Sequence, residues 1–547
     1  MAGSGRAEPR VRAALLVLAL GALVGGALLG GGLGLAGCGP PGGEVLDVIL
    51  VSLDTTRPDH LSGLGASRNT TPTLARLASE GAVFDSMRSA APWTLPSHVS
   101  LFTGLPPAVH DVVIDFQSLD RSRRTLGEIF GDAGFRTMGV FSAPYVHGHY
   151  GFARGMDFYE RATLDPMIFD LPRSQMKAQI GQTERRSHTE VTSRLVVDRA
   201  LNLRDHVARE RNLMFLHFFD PHYDYKAPPA YLRRFADPAY AGPVTGDNVS
   251  DPAIVHAGMP AADLAQLQAL YDAELAWVDD NLKRLVEAIE ASGRARQTVL
   301  VITSDHGEEF LEHGHYGHRS TLHDEELRVP CIVWAPGRVK PGTVVKDEVA
   351  NYDVLPTLMD YAGIAPEPSV YGRSLRPLIE GGSLPPRPSM AALSFFSHEP
   401  AGYYVQHDSM VFQGLKLIRR IHVAWSPKDE RNLSGRPDPA SEQIEVYDLA
   451  ADPRELHDLA AENDPRVPGL RRAFDEECRR QAGALAAYQR RGSDSSGDTG
   501  LTLQESMQAV GYLAAGRARD AKEKPAATGE TPAPAEPVPD PGPTGPR

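Results

Sequence analysis

The sequence predicts an α/β fold with a mostly parallel central sheet flanked by helices, and three observations lead to that prediction. From about Val45 onward, short apolar runs rich in β-branched residues alternate with amphipathic stretches. Hydrophobic residues make up 42% and charged residues 23% of the 547 positions, so the chain can bury a large core. Polar residues stand at the ends of several apolar runs, where open parallel sheets bind their ligands.

The predicted elements follow one another in a regular order. Strands are predicted from the runs DVILVSL, RTMGVFSA, NLMFLHFF, QTVLVITSD and VPCIVWAPG, with amphipathic segments such as TPTLARLASEGAVF and TLGEIFGDAGF between them. The stretch ADLAQLQALYDAELAWVDDNLKRLVEAIEASG predicts one long helix. Polar residues stand at the ends of three of these strands: Asp54, the group from His217 to His222 around the end of NLMFLHFF, and the pair Asp305-His306.

The N-terminal segment carries the pattern of an export signal. Three arginines precede an apolar, glycine-rich run that ends in small residues. The ending LAGC resembles the bacterial lipobox, in which Cys38 becomes the lipidated first residue. We therefore expect a lipoprotein-type signal peptide at 1–38, a flexible tether at 39–46, and an extracytoplasmic, membrane-tethered protein in the periplasm or on the cell surface. The alternative is an uncleaved membrane anchor, because the run is about long enough to span a bilayer.

Charge and cysteine content exclude several classes of protein. The net charge is −14 and no long basic run is present, so nucleic acid is not an expected partner. Apart from Cys38, the chain has only Cys331 and Cys478, which predict neither a disulfide framework nor a thiolate metal site. Residues 516–547 are rich in Pro and Ala and are predicted to form a disordered tail.

The stretch APWTLPSHVSLFTGL places Thr94 at the predicted start of a helix. Pro96 favours a helix start, and Gly104 is a typical helix stop. The N-terminus of a helix presents unpaired N–H groups and partial positive charge, which favour a bound anion. An interpretation without chemistry is that Thr94 only caps the helix.

Carboxylates and an imidazole at the strand ends predict a metal site. Asp54 supplies one carboxylate, and Asp305 with His306 supplies a second carboxylate and one imidazole. Such a ligand set suits one divalent cation, Ca²⁺, Mg²⁺, Mn²⁺ or Zn²⁺.

Several ordered blocks resemble the sulfatase family of the alkaline phosphatase superfamily. They include DVILVSLDTTRPDHLSGLG, the segment around APWTLPSHVSLFTGL, FLHFFDPHYDYKAPP, TVLVITSDHGEEFLEHGHYGH and NYDVLPTLMDYAGI. The resemblance implies an alkaline phosphatase-like catalytic domain at 47–382. EVYDLAADPRELHDLA is similar to the smaller C-terminal part of the family, which implies a subdomain with a helical end at 383–515.

The resemblance also implies roles for the residues that match the family's motifs. Asp54, Asp305 and His306 fall on metal ligands, and Thr94 falls on the nucleophile, which also binds the metal. His222 falls on a histidine that contacts the anionic group of the substrate.

Further along the chain, His318 or Arg319 falls near the family's lysine on the leaving-group side. The family motif is C-x-P-S-R or S-x-P-S-R, whose first residue is oxidised to formylglycine. This chain has Thr94 at that position and His98 in place of the arginine, and we count His98 among the candidate catalytic residues. Threonine carries a β-methyl group and cannot give that aldehyde, so no formylglycine is expected.

These features predict a metal-dependent hydrolase that forms a covalent ester on Thr94 and acts on phosphate or phosphonate esters rather than sulfate. The expected partner is an anionic ester. Three alternatives stay open: a sulfuric ester hydrolase without formylglycine, a phosphoglycerol or phosphoethanolamine transferase, and a non-catalytic anion-binding protein. Asp220, His222 and His318 could also hold a second metal, or His222 could act only as a hydrogen-bond donor in a single-metal site.

Overall fold

The computed structural model describes residues 44–115, 117–163, 192–396, 403–424 and 437–489. The predicted signal peptide with Cys38, most of the tether and the Pro/Ala-rich tail lie outside these residues. Within them, no helix has the length and apolar character needed to cross a membrane. The lipoprotein, tether and tail assignments therefore stay predictions.

Short strands and helices alternate along most of the chain. The strands are β1 (Asp47–Leu53), β2 (Ala82–Phe84), β3 (Met87–Arg88), β4 (Arg136–Phe141), β5 (Phe158–Arg161), β6 (Asn212–Phe218), β7 (Thr298–Ser304), β8 (Glu309–Phe310), β9 (Tyr316–Gly317), β10 (Cys331–Trp334), β11 (Thr343–Val345), β12 (Val349–Ala350), β13 (Ser389–Phe396), β14 (Tyr403–Phe412), β15 (Leu415–Ala424) and β16 (Gln443–Asp448). The α-helices are α1 (Pro72–Glu80), α2 (Thr94–Thr103), α3 (Pro107–His110), α4 (Leu126–Asp132), α5 (Ser193–Val207), α6 (Pro229–Phe235), α7 (Ala261–Ala291), α8 (Asp324–Leu327), α9 (Val354–Tyr361), α10 (Arg376–Ile379) and α11 (Val467–Gln489).

An eight-stranded sheet forms the centre of the described part of the chain. Its strand order is β11-β2-β10-β7-β1-β6-β4-β5. Strand β1 runs parallel to both β6 and β7, and β4 runs parallel to β5 and β6. Only β10 is antiparallel to its neighbours within this sheet. The predicted mostly parallel α/β fold is confirmed.

The central strands are buried on both faces. Along β1, Val48 and Leu50 belong to one hydrophobic core, whereas Ile49 and Val51 belong to the core on the opposite face. This explains why DVILVSL reads as a continuous apolar run rather than an alternating one. The long predicted helix is present as α7, and it packs in the second of these cores through residues such as Leu267 and Leu282.

A smaller antiparallel sheet follows the central body. Its strand order is β13-β14-β15-β16. Alternate residues divide between two cores: Leu417 packs with Phe474 of α11, whereas Ile418 joins the core of the central sheet. The sheet therefore lies between helix α11 and the central body.

Candidate active site

Strands β1 and β7 end side by side and bring the predicted metal ligands together. Leu53 is paired with Ser304, so the residues that follow, Asp54 and Asp305, emerge at the same edge of the sheet. His306 Nε2 lies 3.5 Å from Asp54 Oδ1 and 3.4 Å from Asp305 Oδ2. All three side chains are fully buried.

These carboxylates need a positive partner. Within the described residues, neither oxygen of Asp54 nor Oδ2 of Asp305 has a hydrogen-bond donor. Burial, with the nearby Glu308 carboxylate, raises the pKa of Asp54 well above its usual range, and burial together with Asp54 does the same for the pKa of Asp305. One ligand atom from each of Asp54, Asp305 and His306 lies within 4.8 Å of the others. The three residues therefore fit a divalent cation.

Thr94 stands beside this cluster at the beginning of α2. The helix begins at Thr94 rather than at Pro96, and Trp93 occupies the N-cap position. The Thr94 hydroxyl lies 3.4 Å from His306 Nε2, and the Thr94 side chain is almost completely buried. The helix ends at Thr103, and the predicted stop Gly104 is its C-cap, with a φ of 65° that suits glycine.

His98 lies beside the cluster, and its side chain is fully buried. Its Nδ1 donates to the carbonyl of Thr94 at 2.8 Å, and its Nε2 is 2.9 Å from the hydroxyl of Ser52. Both ring nitrogens are thus engaged within the protein. We propose that His98 positions the first turn of α2 instead of acting on the substrate.

His217 lies beside His98, and the sequence placed it among the polar residues near a strand end without giving it a specific role. Its Nε2 is 3.3 Å from Asp54 Oδ2, and the two histidine rings are 4.9 Å apart. Burial lowers the pKa of His217 to about 3, so it is neutral. His98, His217 and Asp305 are close enough to share a metal ion, but both nitrogens of His98 already have partners. A histidine within an otherwise apolar strand was the available signal.

His222 and His318 form one wall of the site. The rings of His306 and His318 are 4.4 Å apart, and those of His222 and His318 are 5.1 Å apart. His318 Nδ1 lies 2.9 Å from Glu308 Oε1, which fixes the orientation of the ring. Glu308 was not among the predicted site residues, although it stands two residues after His306.

Asp220 is not assembled with these histidines. Its carboxylate accepts hydrogen bonds from the backbone N–H groups of Thr192 and Ser193 at 3.0 and 2.8 Å, and from the Ser193 hydroxyl. Asp220 thus secures the beginning of α5, and His222 Nδ1 donates to the carbonyl of Tyr223. Among the described residues, the possible second-metal set is not brought together.

Arg319 lies against the segment that carries Thr94. Its guanidinium is 3.9 Å above the ring of Trp93, and its backbone N–H donates to the carbonyl of Pro92. Two parallel hydrogen bonds of 2.9 and 3.0 Å join it to the carboxylate of Asp115. Asp115 was also not among the predicted site residues.

Comparison with known proteins agrees with this geometry. The model of the sulfatase family matches residues 47–364, which is more than half of the chain. The chain belongs to the sulfatase family. A second model, N-sulphoglucosamine sulphohydrolase, C-terminal, matches residues 311–428. Members of the sulfatase family bind a divalent metal, and the Asp54 cluster is the candidate for that site in this chain.

Relatives of this sulfatase-family chain include proteins named for different esters. The N-acetylglucosamine-6-O-sulfatase of Bacteroides thetaiotaomicron is 23% identical over 78% of this chain and 85% of its own length. The multifunctional alkaline phosphatase superfamily protein PehA of Trinickia caryophylli is 22% identical over 79% of this chain and 94% of its own. The family and these relatives indicate an enzyme that hydrolyses esters.

Solved structures share the alkaline phosphatase-like fold. The phosphonate monoester hydrolase of Agrobacterium radiobacter matches with a TM-score of 0.61 and 20% identity, over 80% of this chain and 96% of its own. A structure in complex with D-glucosamine-2-N,6-O-disulfate matches with a TM-score of 0.63 and 19% identity, over 80% and 98% of the two chains. The predicted fold class is confirmed.

Proposed function

We propose that this chain is a metal-dependent hydrolase of phosphate or phosphonate esters that uses Thr94 as its nucleophile. The observation that carries the proposal is the Thr94 hydroxyl, 3.4 Å from His306 Nε2 within the carboxylate and histidine cluster. A bound divalent cation supplies positive charge that lowers the pKa of this hydroxyl and neutralises substrate oxygens. Threonine cannot be converted to the aldehyde on which sulfate ester hydrolysis in the family depends.

The chain's own residues divide the reaction between them. Thr94 Oγ1 attacks phosphorus as the alkoxide, and the bond to the leaving oxygen breaks as the new ester forms. Backbone N–H groups in the first turn of α2 face the developing negative charge. His318 donates through Nδ1 to Glu308, so as the imidazolium it gives the proton on Nε2 to the leaving oxygen. Water then attacks the phosphorus, returns one proton to His318 Nε2 and releases Thr94 as the alkoxide.

A sulfuric ester hydrolase is the second candidate, and named relatives favour it. The relative from Bacteroides thetaiotaomicron is a sulfatase, and one fold neighbour binds a sulfated glucosamine. A transferase would follow the same first step but pass the group to an alcohol instead of water. Both candidate functions would use the same metal site at Asp54. Only measured turnover of sulfate and phosphorus esters can therefore distinguish them.

The deciding experiment is a panel of aryl esters with one leaving group, offered with and without added divalent metal. The proposal expects turnover of phosphonate monoester, phosphate diester or phosphate monoester, and loss of that turnover after chelation. Fast turnover of the aryl sulfate alone would replace the proposal with the second candidate. Glycerol added to the same assay separates the transferase, because its product is then a glycerol ester.

We also propose that the enzyme is held outside the cytoplasm by a lipid on Cys38. The support is the order of basic, apolar and small residues that ends in LAGC. Cys38→Ser should accumulate as the unprocessed precursor, as seen by mass spectrometry of the N-terminus. Unchanged processing would favour an uncleaved anchor.

A further inference from the structure

Arg319 brings a permanent positive charge close to the nucleophile. Its side chain stacks on Trp93, which directly precedes Thr94, and its backbone is hydrogen-bonded to Pro92. Arg319 is therefore attached through two contacts to the segment that carries the nucleophile. Burial and several nearby positive groups, Arg319 among them, lower the pKa of His306, whose Nε2 lies 3.4 Å from the Thr94 hydroxyl, so the charge of Arg319 reaches the site.

Asp115 neutralises that charge. The two carboxylate oxygens of Asp115 meet the two terminal nitrogens of Arg319, and only 8% of the Asp115 side chain is exposed. The hydroxyl of Tyr145 donates to the same carboxylate and lies 3.2 Å from Arg319 Nη1. This triad of Arg319, Asp115 and Tyr145 is thus mostly buried. Water and salt screen a buried charge pair less than an exposed one.

The other acidic side chains of the site carry at least as much negative charge as one divalent cation offsets. Asp54 and Asp305 together carry the two negative charges that one divalent cation offsets, and Glu308 adds a negative charge beside His318. With Arg319 paired to Asp115, these residues supply no positive charge in excess. A doubly charged phosphate monoester would enter this space with one unbalanced charge more than a singly charged ester.

We propose that Asp115 is a specificity-determining residue that restricts the pocket to singly charged esters, such as phosphonate monoesters and phosphate diesters. It acts through Arg319 and does not need to touch the substrate. Specificity then has two sources: the Asp115 charge disfavours doubly charged esters, and contacts in the pocket favour singly charged ones. This inference rests on the proposed hydrolysis of phosphorus esters.

The test compares p-nitrophenyl phosphate with p-nitrophenyl phenylphosphonate above pH 7, where the first carries two negative charges and the second carries one. Asp115→Asn keeps the shape of the side chain but leaves the charge of Arg319 unbalanced. We expect kcat/KM for the phosphate relative to the phosphonate to rise about tenfold. Asp115→Glu keeps the charge and should leave the ratio near that of the parent enzyme.

A second variant and a matched control complete the design. Arg319→Gln leaves the negative charge of Asp115 and should shift the ratio in the opposite direction. Asp408 is paired with Arg419 in the C-terminal sheet, so Asp408→Asn should leave the ratio unchanged. Metal content and the unfolding midpoint of each variant show whether the site and the fold are intact.

The outcomes separate this inference from the proposed function. A parent enzyme that hydrolyses the phosphonate, with an unchanged ratio in Asp115→Asn, overturns the role of Asp115 alone. An equal loss of both activities in a folded, metal-loaded Asp115→Asn also overturns it, because it shows a general positioning role. A parent enzyme that turns over neither phosphorus ester overturns the proposed function and this inference with it.

Discussion

His98 shows how one buried side chain joins two elements of the site. It lies one helical turn after Thr94 and joins the Thr94 carbonyl to the hydroxyl of Ser52 on β1. Burial lowers its pKa well below the usual value for histidine, so the ring is neutral and its two nitrogens have distinct roles as donor and acceptor. The first turn of α2 is thereby fixed to the strand that ends at Asp54.

The first prediction concerns metal binding by Asp305. Asp305→Ala removes one of the two carboxylates of the cluster, so the chain should lose both bound metal and turnover while its secondary structure persists. Metal analysis of the purified protein, with circular dichroism, measures this. Asp408→Asn is the matched control and should retain the parent stoichiometry. Full metal content in Asp305→Ala would show that the cation lies elsewhere.

At the scale of elements, α2 depends on the short helix that follows it. His110 ends α3, and its Nε2 lies 3.1 Å from the hydroxyl of Ser100 in α2. Its Nδ1 accepts a hydrogen bond from the backbone N–H of Val112. Burial, together with the positive charge of Arg123, lowers the pKa of His110 to about 3. The neutral ring is thus part of the contact between the two helices.

His110 therefore predicts a pH dependence of stability. The unfolded chain takes up this proton near the ordinary pKa of 6.5, and the folded chain only near 3. Protonation favours unfolding, so stability falls by about 1.4 kcal/mol per pH unit as the pH drops from about 6.5 toward 3. His110→Asn has no such group and should show a shallower loss. Urea unfolding of both proteins at several pH values measures the difference, and parallel curves would contradict it.

The elements also show what the sequence could predict. Asp54, Asp305 and His306 follow strands directly, and neighbouring parallel strands must end at one edge, so their convergence was predictable. The position of His217 near a strand end was visible in the sequence, but its contact with Asp54 was not, and Asp115 stands in a segment without periodicity. The residues that His217 and Asp115 contact are far away in the sequence. Local sequence patterns carry no information about such contacts.

At the scale of the whole molecule, buried charges join the C-terminal sheet to the central body. Lys416 of β15 is fully buried, with its Nζ 2.9 Å from Asp324 and 2.8 Å from Glu455. Asp324 begins α8 and also pairs with Arg88 of β3. Removing the lysine leaves buried carboxylates short of positive charge.

Lys416→Met should therefore destabilise the protein by about 3–5 kcal/mol, the usual cost of breaking a buried ion pair from one side. Chemical denaturation followed by circular dichroism gives the free energy of unfolding. Lys283 pairs with Glu287 on the exposed side of α7, so Lys283→Met is the control and should cost less than about 1 kcal/mol. Equal effects of the two variants would show that the cluster does not hold the sheet in place.

The turnover number of Thr94→Ala tests the proposed mechanism most directly. The central claim is that the Thr94 oxygen attacks the phosphorus of a bound ester, so its removal should lower kcat by several orders of magnitude. Thr94→Ser keeps the hydroxyl and should remain active, with metal content like that of the parent enzyme. If folded Thr94→Ala hydrolyses the same ester as fast as the parent, Thr94 is not the nucleophile and the mechanism proposed for this site is wrong.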